Sequence, residues 1–362
     1  MPRAAVFNSH LAVFGGGEKS TYATASALAA NGYEVDVVTY EQALPTQRQI
    51  DDQFGPGHCG FRLRTAAAST IADFERRDSA LTEELRPYDL FVNHCASSSV
   101  SNPCRTGLYW VMFPFQGPGP FTATYQSFAC ISDYTERYTR LRWGRDLPTA
   151  VIYPSAEPVP PSPLPREKLI LNVGRFNLGG HTKNQAALID AFAACLPDLP
   201  AGWRLVLAGK VNAGDDNRAE VDRLRERCRG LPVTLELDIT EERKRHLLQA
   251  AAIYWHGTGI GRREPEEADR MEHYGIAVAQ AMGSGAIPLA YARGGPREIV
   301  AHARTGFLYR DLDELRAFTV LLASDGALEQ RFRAAGIERA KRFDRPAFDE
   351  AVAKLLRSVV RP

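Results

Sequence analysis

No run of about 18 uninterrupted apolar residues occurs anywhere in the chain, so the sequence offers no segment that would span a bilayer. An excess of one charge is missing too: 44 Lys and Arg face 43 Asp and Glu, a net charge of +1. Without a strong positive field there is little to replace phosphate counterions, which excludes a general nucleic-acid binder and leaves only local basic sites. The six cysteines, at positions 59, 95, 104, 130, 195 and 228, form no C-x-x-C pair. Cys59 and Cys95 each follow a histidine, but neither pair has metal-site spacing. They read as reduced thiols that behave as small buried hydrophobes, since an even count is weak support for disulfides in a chain this long. No His, Cys and carboxylate cluster has metal-ligand spacing, so no metal is expected in the chemistry. The N-terminus MPRAAVFNSH runs straight into a short strand pattern, and the expectation is a soluble, unsecreted, cytoplasmic protein.

What is present is an ordinary globular composition over 362 residues, long enough that two cores are the natural expectation. The pattern alternates strand and helix. Residues 4–8 read as a strand, Gly15-Gly16-Gly17 as a loop, 18–30 as a helix and 34–39 as a second strand after the Asn31-Gly32 turn. Apolar runs at 90–93, 108–113 and 127–131, with a helix at 133–141, extend a parallel-sheet pattern. Prolines at 154, 158, 160, 161, 163 and 165 are too dense for a helix or central strand and mark a linker over 154–167. The alternation then restarts, giving an N-terminal domain over 1–153 and a second over 168–345. Two Rossmann-like parallel-sheet domains so joined would face a cleft at their sheet edges, where open α/β sheets bind ligands.

The residues able to carry chemistry cluster at the loops. In Gly15-Gly16-Gly17-Glu18-Lys19, glycine backbone at a helix start can approach a phosphate, or can simply make a tight turn. It is not G-x-G-x-x-G, and Glu41 lacks the spacing of a nicotinamide fingerprint. Val173-Gly174-Arg175 and Lys183-Asn184-Gln185 place an arginine fork and a mobile ammonium after a strand, a pair suited to a diphosphate or else two solvated cations. Gly179-Gly180 between them would let that loop close. Glu272 lies ahead of a helix opened by Gly275, and Gln280 lies eight positions on, roughly 12 Å along the axis, so the two could hold opposite ends of an elongated ligand. Glu272 can equally serve the helix dipole. Gln280, on a largely apolar helix, needs a partner: a ligand hydroxyl or neighbouring backbone. His256 follows the apolar Ile253-Tyr254-Trp255 run, which favours a site role, whereas His94 reads as a local hydrogen-bonding group. The charged 261–271 segment is a solvated loop or a lid beside Glu272.

Glu272 to Gln280, Arg175, Lys183, Gly294-Gly295-Pro296 with Glu298 and Ile299, and Thr305-Gly306-Phe307-Leu308 together resemble the retaining GT-B glycosyltransferases that share an E-x7-E motif. Glutamine replaces the second acid here. Gly15 to Glu18, Tyr109 to Pro114 and Ile152-Tyr153-Pro154 are similar to mannosyltransferases that extend lipid-linked oligosaccharides and to their bacterial relatives. The resemblance implies a GT-B fold, with the last helix, 346–362, crossing back to the first domain. It further implies retaining, metal-independent transfer of a hexosyl group from a GDP- or UDP-sugar to a glycan, lipid-linked or small-molecule acceptor. The nucleotide sugar would be a substrate, with no resident cofactor, and a peripheral position at the inner membrane face is compatible with it. Arg175 and Lys183 would hold the diphosphate and Glu272 the sugar, with the backbone at Tyr274, Gly275 and Ile276 supporting the ring and Gln280 taking the ribose. Gly15, Gly16 and Gly17 would face donor or acceptor. Many relatives carry a histidine where Met112 stands, so the first domain offers no assigned catalytic histidine. Phe113, Phe115 and Phe121 would touch an acceptor or pack inward. A GT-B phosphorylase is disfavoured, because the chain is short and lacks a recognisable pyridoxal-binding lysine segment. The alternative is a weak or inactive sugar-nucleotide-binding partner.

Overall fold

The computed structural model describes residues 1–67, 74–160, 165–179 and 181–359. Residues 68–73, part of the linker (161–164), Gly180 and residues 360–362 therefore lie outside the described residues. The chain forms two compact units, Met1–Ser155 with Arg345–Pro362, and Ala156–Asp344.

The first unit alternates β1 (Arg3–Phe7), α1 (Gly16–Ala30), β2 (Glu34–Thr39), α2 (Gln47–Phe54), β3 (Phe61–Thr65), α3 (Phe74–Leu85), β4 (Leu90–Asn93), β5 (Thr106–Val111), β6 (Ser127–Cys130), α4 (Asp133–Trp143) and β7 (Thr149–Val151). Its sheet is parallel throughout, in the order β3-β2-β1-β4-β5-β6-β7. Strands β4 and β5 are buried at every position, as strands covered on both faces must be. The second unit runs β8 (Glu167–Val173), α5 (Gln185–Cys195), β9 (Arg204–Gly209), α6 (Asp215–Arg227), β10 (Val233–Leu237), α7 (Glu241–Ala250), β11 (Ala251–His256), α8 (Ile276–Gly283), β12 (Ile287–Tyr291), α9 (Pro296–Ile299), β13 (Phe307–Tyr309), α10 (Leu312–Ser324) and α11 (Gly326–Ala340). Its parallel sheet has the order β10-β9-β8-β11-β12-β13. The chain then enters α12 (Arg345–Val359), which packs on α1 and sets Phe348 against Trp110 at 5.9 Å between ring centroids.

Six elements escape the periodicity, among them the 12-residue α3 and the four-residue α9. Strand β3, FRLRT, alternates apolar and basic residues, and it is stable at the sheet edge because Arg62 pairs with Glu34 and Asp36, and Arg64 with Glu84. Helix α2 buries only Ile50 and is closed by a Thr46–Gln49 capping box. Strands β7 and β13 are three residues each, too short for an alternation to register. The proline-rich stretch begins pinned on the second unit: the Val159 N–H donates to Ser284 Oγ at 2.9 Å, and the Pro160 carbonyl accepts from Gln249.

In each sheet the chain steps outward from a central strand and then returns to its other side. The order reverses between β1 and β4 in the first unit and between β8 and β11 in the second. Loops leaving two adjacent strands on opposite sides open a crevice at their carboxyl ends, the usual ligand position of such sheets. Gly15 to Gly17 and His94 follow β1 and β4. Arg175 and His256 stand at the ends of β8 and β11.

Candidate functional site

At the β8/β11 reversal two side chains meet on one carboxylate oxygen. Glu272 Oε2 accepts from Lys183 Nζ at 2.8 Å and from His256 Nε2 at 3.2 Å. Burial alone would raise the Glu272 pKa, but the Lys183 charge and the His256 N–H outweigh it and hold the carboxyl well below the usual range. Glu272 is therefore an anion at neutral pH, and an anion can only accept. His256 must then carry a proton on Nε2. Burial pushes its pKa down against the pull of Glu272, so the neutral imidazole is the resident form. Its Nδ1 is buried with no hydrogen-bond partner among the described residues.

Two further histidines flank the carboxylate. His181 and His273 meet edge-to-face at 4.5 Å. Burial and the neighbouring His181 bring His273 down to about 3. Burial likewise lowers His181, against Glu272 and assisted by the nearby Lys183 and Arg175 charges. Arg175 follows the end of β8. Its guanidinium has no ion pair or hydrogen bond among the described residues and its residue is exposed, while its backbone carbonyl is held by Gln185 Nε2 at 3.1 Å. A fork with no partner among the described residues, and a lysine whose side chain lies against the preceding Gly174, form a local basic site in a chain of nearly zero net charge. The sequence gives no periodic sign of His181, which stands alone after Gly180 at φ +59°.

Glu272 is aimed by backbone as well. Its carbonyl accepts from the Gly295 N–H at 2.8 Å. Gly294 lies at φ +65°, and a Cβ there would stand 2.2 Å from the Glu272 carbonyl oxygen, so only glycine lets the two loops touch. Gly275, at φ +104°, turns the chain into α8, and its carbonyl receives the Val278 N–H at 2.9 Å. Tyr274 is buried, and Ile276 opens the helix half-buried. Gln280 is not joined to the Lys183–Glu272–His256 group. Its amide donates to the Glu157 carbonyl at 3.4 Å, the neighbouring-backbone option of the two open in the sequence. The charged 261–271 loop is tied to itself: Glu267 receives Arg262 and the Arg263 N–H, and pairs with Arg270.

In the first unit the glycine loop is partly closed by its own helix. Gly15 N–H donates to Glu18 Oε2 at 2.7 Å, which sets a carboxylate where an anion would dock. Met112 lies against Gly17. His94 is fully buried, stacked on Trp110 at 4.9 Å, with Thr21 Oγ1 at 3.1 Å from Nδ1 and Thr24 Oγ1 at 3.3 Å from Nε2. Burial lowers its pKa to about 3. It is a neutral core group saturated by hydroxyls of α1. Phe113 and Phe121 are buried and Phe115 is exposed. Among the described residues no three His, Cys, Asp or Glu side chains gather as a metal site, and no helix is long and apolar enough to cross a membrane.

Over 160 residues the chain is 29% identical to a GDP-Man:Man(3)GlcNAc(2)-PP-Dol alpha-1,2-mannosyltransferase of Dictyostelium discoideum, a match covering 41% of this chain and 29% of that protein. The Xenopus laevis enzyme of the same name is 29% identical over 165 residues, 42% of this chain and 30% of that protein. The matches thus span less than a third of those proteins' length. Among solved structures, Anabaena HepE in complex with UDP and glucose superposes with a TM-score of 0.75 at 17% identity, covering 99% of this chain and 100% of HepE. Sucrose-phosphate synthase from Thermosynechococcus elongatus gives 0.72 at 18%, covering 98% of each. The fold is GT-B. Because the sequence model described as Glycosyl transferases group 1 matches residues 159–339, half of the chain and the whole of the Lys183–Glu272–His256 site, the chain belongs to the group 1 glycosyltransferases.

Proposed function

We propose that the chain transfers a hexosyl group, with retention and without a metal, from a nucleoside-diphosphate sugar to a hydroxyl acceptor. The observation that carries this is the pairing of Lys183 with an anionic Glu272 at the sheet reversal, where Arg175 follows the end of β8. As the bond from the anomeric carbon to the phosphate oxygen breaks, charge develops on the diphosphate, and two cations placed there lower the barrier. The acceptor oxygen bonds to that carbon on the same face, and its proton passes to the departing phosphate oxygen. Glu272 accepts sugar hydroxyls, supported by the backbone from Tyr274 to Ile276. Gln280 takes the ribose by exchanging its weak bond to Glu157. Gly15 to Gly17 serve the acceptor side.

The relatives named for GDP-Man and the neighbour crystallised with UDP support GDP- or UDP-sugars as donors. The mannosyltransferases act on a dolichol-linked glycan by name, which supports a glycan or lipid-linked acceptor, met in the cytoplasm or at a membrane face. The Gln280 contact with Glu157 favours a second reading, a chain that binds sugar nucleotides without turning them over.

A thermal-shift series with UDP, GDP and their sugars tests the proposal, since ligands of the folded state raise its stability. One nucleotide family should raise the melting temperature, and Arg175→Ala should abolish the shift. An unchanged shift in that variant removes the phosphate assignment. Binding without slow hydrolysis of any sugar nucleotide selects the second reading.

A further inference from the structure

His256 is 3% exposed and spends its one N–H on Glu272. Its backbone is fixed from both sides. The His256 carbonyl accepts from the Tyr309 hydroxyl at 2.7 Å, and the residue pairs in register with Ala290 of β12. Both protein donors to Glu272 fall on the same oxygen, Oε2; among the described residues Oε1 has no hydrogen-bond partner. The carboxylate is thus gripped by one oxygen and offers the other.

The two grips are not equivalent. Lys183 is a flexible cation that a diphosphate competes for, whereas His256 is neutral, buried and rigid. When phosphate draws the ammonium away, the histidine alone keeps the carboxylate in place. The imidazole also leaves Nδ1 buried and without a hydrogen-bond partner among the described residues, a cost of about 1–3 kcal/mol that packing alone would remove by choosing an apolar residue.

We propose that His256 is a positioning residue of the donor site, holding Glu272 by Oε2 so that Oε1 is presented to the hydroxyls of the transferred sugar after Lys183 has engaged the diphosphate. This rests on the donor-site reading above and adds to it a residue that acts on the sugar only through Glu272.

The test separates nucleotide from sugar. Wild type, His256→Leu, His256→Asn and His256→Gln are compared for affinity to UDP and GDP, and for kcat and KM of hydrolysis of UDP-glucose and GDP-mannose. Leucine removes the donor, asparagine carries its amide short of Nε2, and glutamine places an N–H near it. Leucine and asparagine variants should keep diphosphate affinity within about twofold and lose about 10- to 100-fold in kcat, the scale of one hydrogen bond to a charged group. Glutamine should recover at least about tenfold of that loss. Diphosphate affinity falling in step with kcat overturns the proposal, as does wild-type turnover in His256→Leu. If the leucine variant does not fold, the asparagine and glutamine pair decides, and equal kcat in those two overturns it. A wild-type chain that binds no diphosphate and hydrolyses neither sugar nucleotide overturns the donor-site reading itself, and this inference with it.

Discussion

Replacing Glu272 by Gln keeps the shape of the site and removes its charge. Lys183 then loses its counterion while His256 keeps an acceptor, if the amide oxygen takes the Oε2 position. Breaking one side of a fully buried ion pair costs about 3–5 kcal/mol. The Lys183 and Glu272 side chains are 19% and 18% exposed, so water screens part of the loss. A cost of about 2–3 kcal/mol remains, or about 5–10 °C in melting temperature. Because the Glu272 pKa is depressed in the folded protein, its contribution is present above the unfolded carboxyl value and is lost as pH falls below it. The stability gap between wild type and Glu272→Gln should therefore be full at pH 7 and shrink below about pH 4. Function should divide differently. An uncharged acceptor for the sugar hydroxyls is weaker by about 1–2 kcal/mol, a 5- to 30-fold loss in sugar-nucleotide hydrolysis. UDP or GDP should bind no more weakly than before, because Lys183 no longer has a competing carboxylate. Urea unfolding across pH, calorimetric titration with the diphosphates and a hydrolysis assay measure the three effects. Diphosphate affinity that drops together with hydrolysis, or hydrolysis at the wild-type rate, would refute the division of labour between Lys183 and Glu272.

Gly294→Ala drives a Cβ into the Glu272 carbonyl at 2.2 Å and should cost at least about 2 kcal/mol with loss of sugar-nucleotide hydrolysis; a melt within a degree of wild type contradicts the contact. Gln280→Glu sets a carboxylate against the Glu157 carbonyl in the second half of α8, so the free protein should lose about 1 kcal/mol. The same change should tighten UDP or GDP about 3- to 10-fold if the side chain turns to the ribose; destabilisation with unchanged affinity confines Gln280 to its backbone contact. His94, neutral in the fold down to about 3, is charged only in the unfolded chain as pH falls below about 6.5, so it makes stability decline with acid. His94→Gln should flatten the slope of unfolding free energy between pH 6 and 4 by about 1.4 kcal/mol per pH unit, and equal slopes would show that His94 takes up a proton in the native state.

Apolar strands were legible because their patterns coincide with burial: β2 and β4 fall on the residues their periodicity predicts. Strand β3 and helix α2 were not, since salt bridges and a capping box hold them where burial does not. Within the site, Arg175, Lys183 and Glu272 were candidates from their loop positions, with solvated cations and a helix-dipole carboxylate as alternatives, and only the family resemblance implied their roles. The pairing of Lys183 with Glu272 could not be read, because 89 residues separate them and only the fold brings them together. The place of His181 beside His273, and a Glu272 Oε1 with no hydrogen-bond partner among the described residues, are invisible for the same reason. Gln280 was legible as an amide in need of a partner, although it is half-buried where burial was expected, while Glu157, its partner, lies in a stretch whose prolines suggest nothing but a linker.

Helix α12 has a consequence for how the protein is made. The surface of α1 and the Trp110 ring belong to the first 155 residues, but the helix that covers them is translated after the entire second unit. During synthesis the first unit must wait, with that aromatic patch open to water, through about 190 residues of nascent chain at about 5–20 residues per second, roughly 10–40 s. The first unit is thus assembled as a clasp whose two halves are written at opposite ends of the message, and a ribosome that stalls within the second unit leaves the first without its cover.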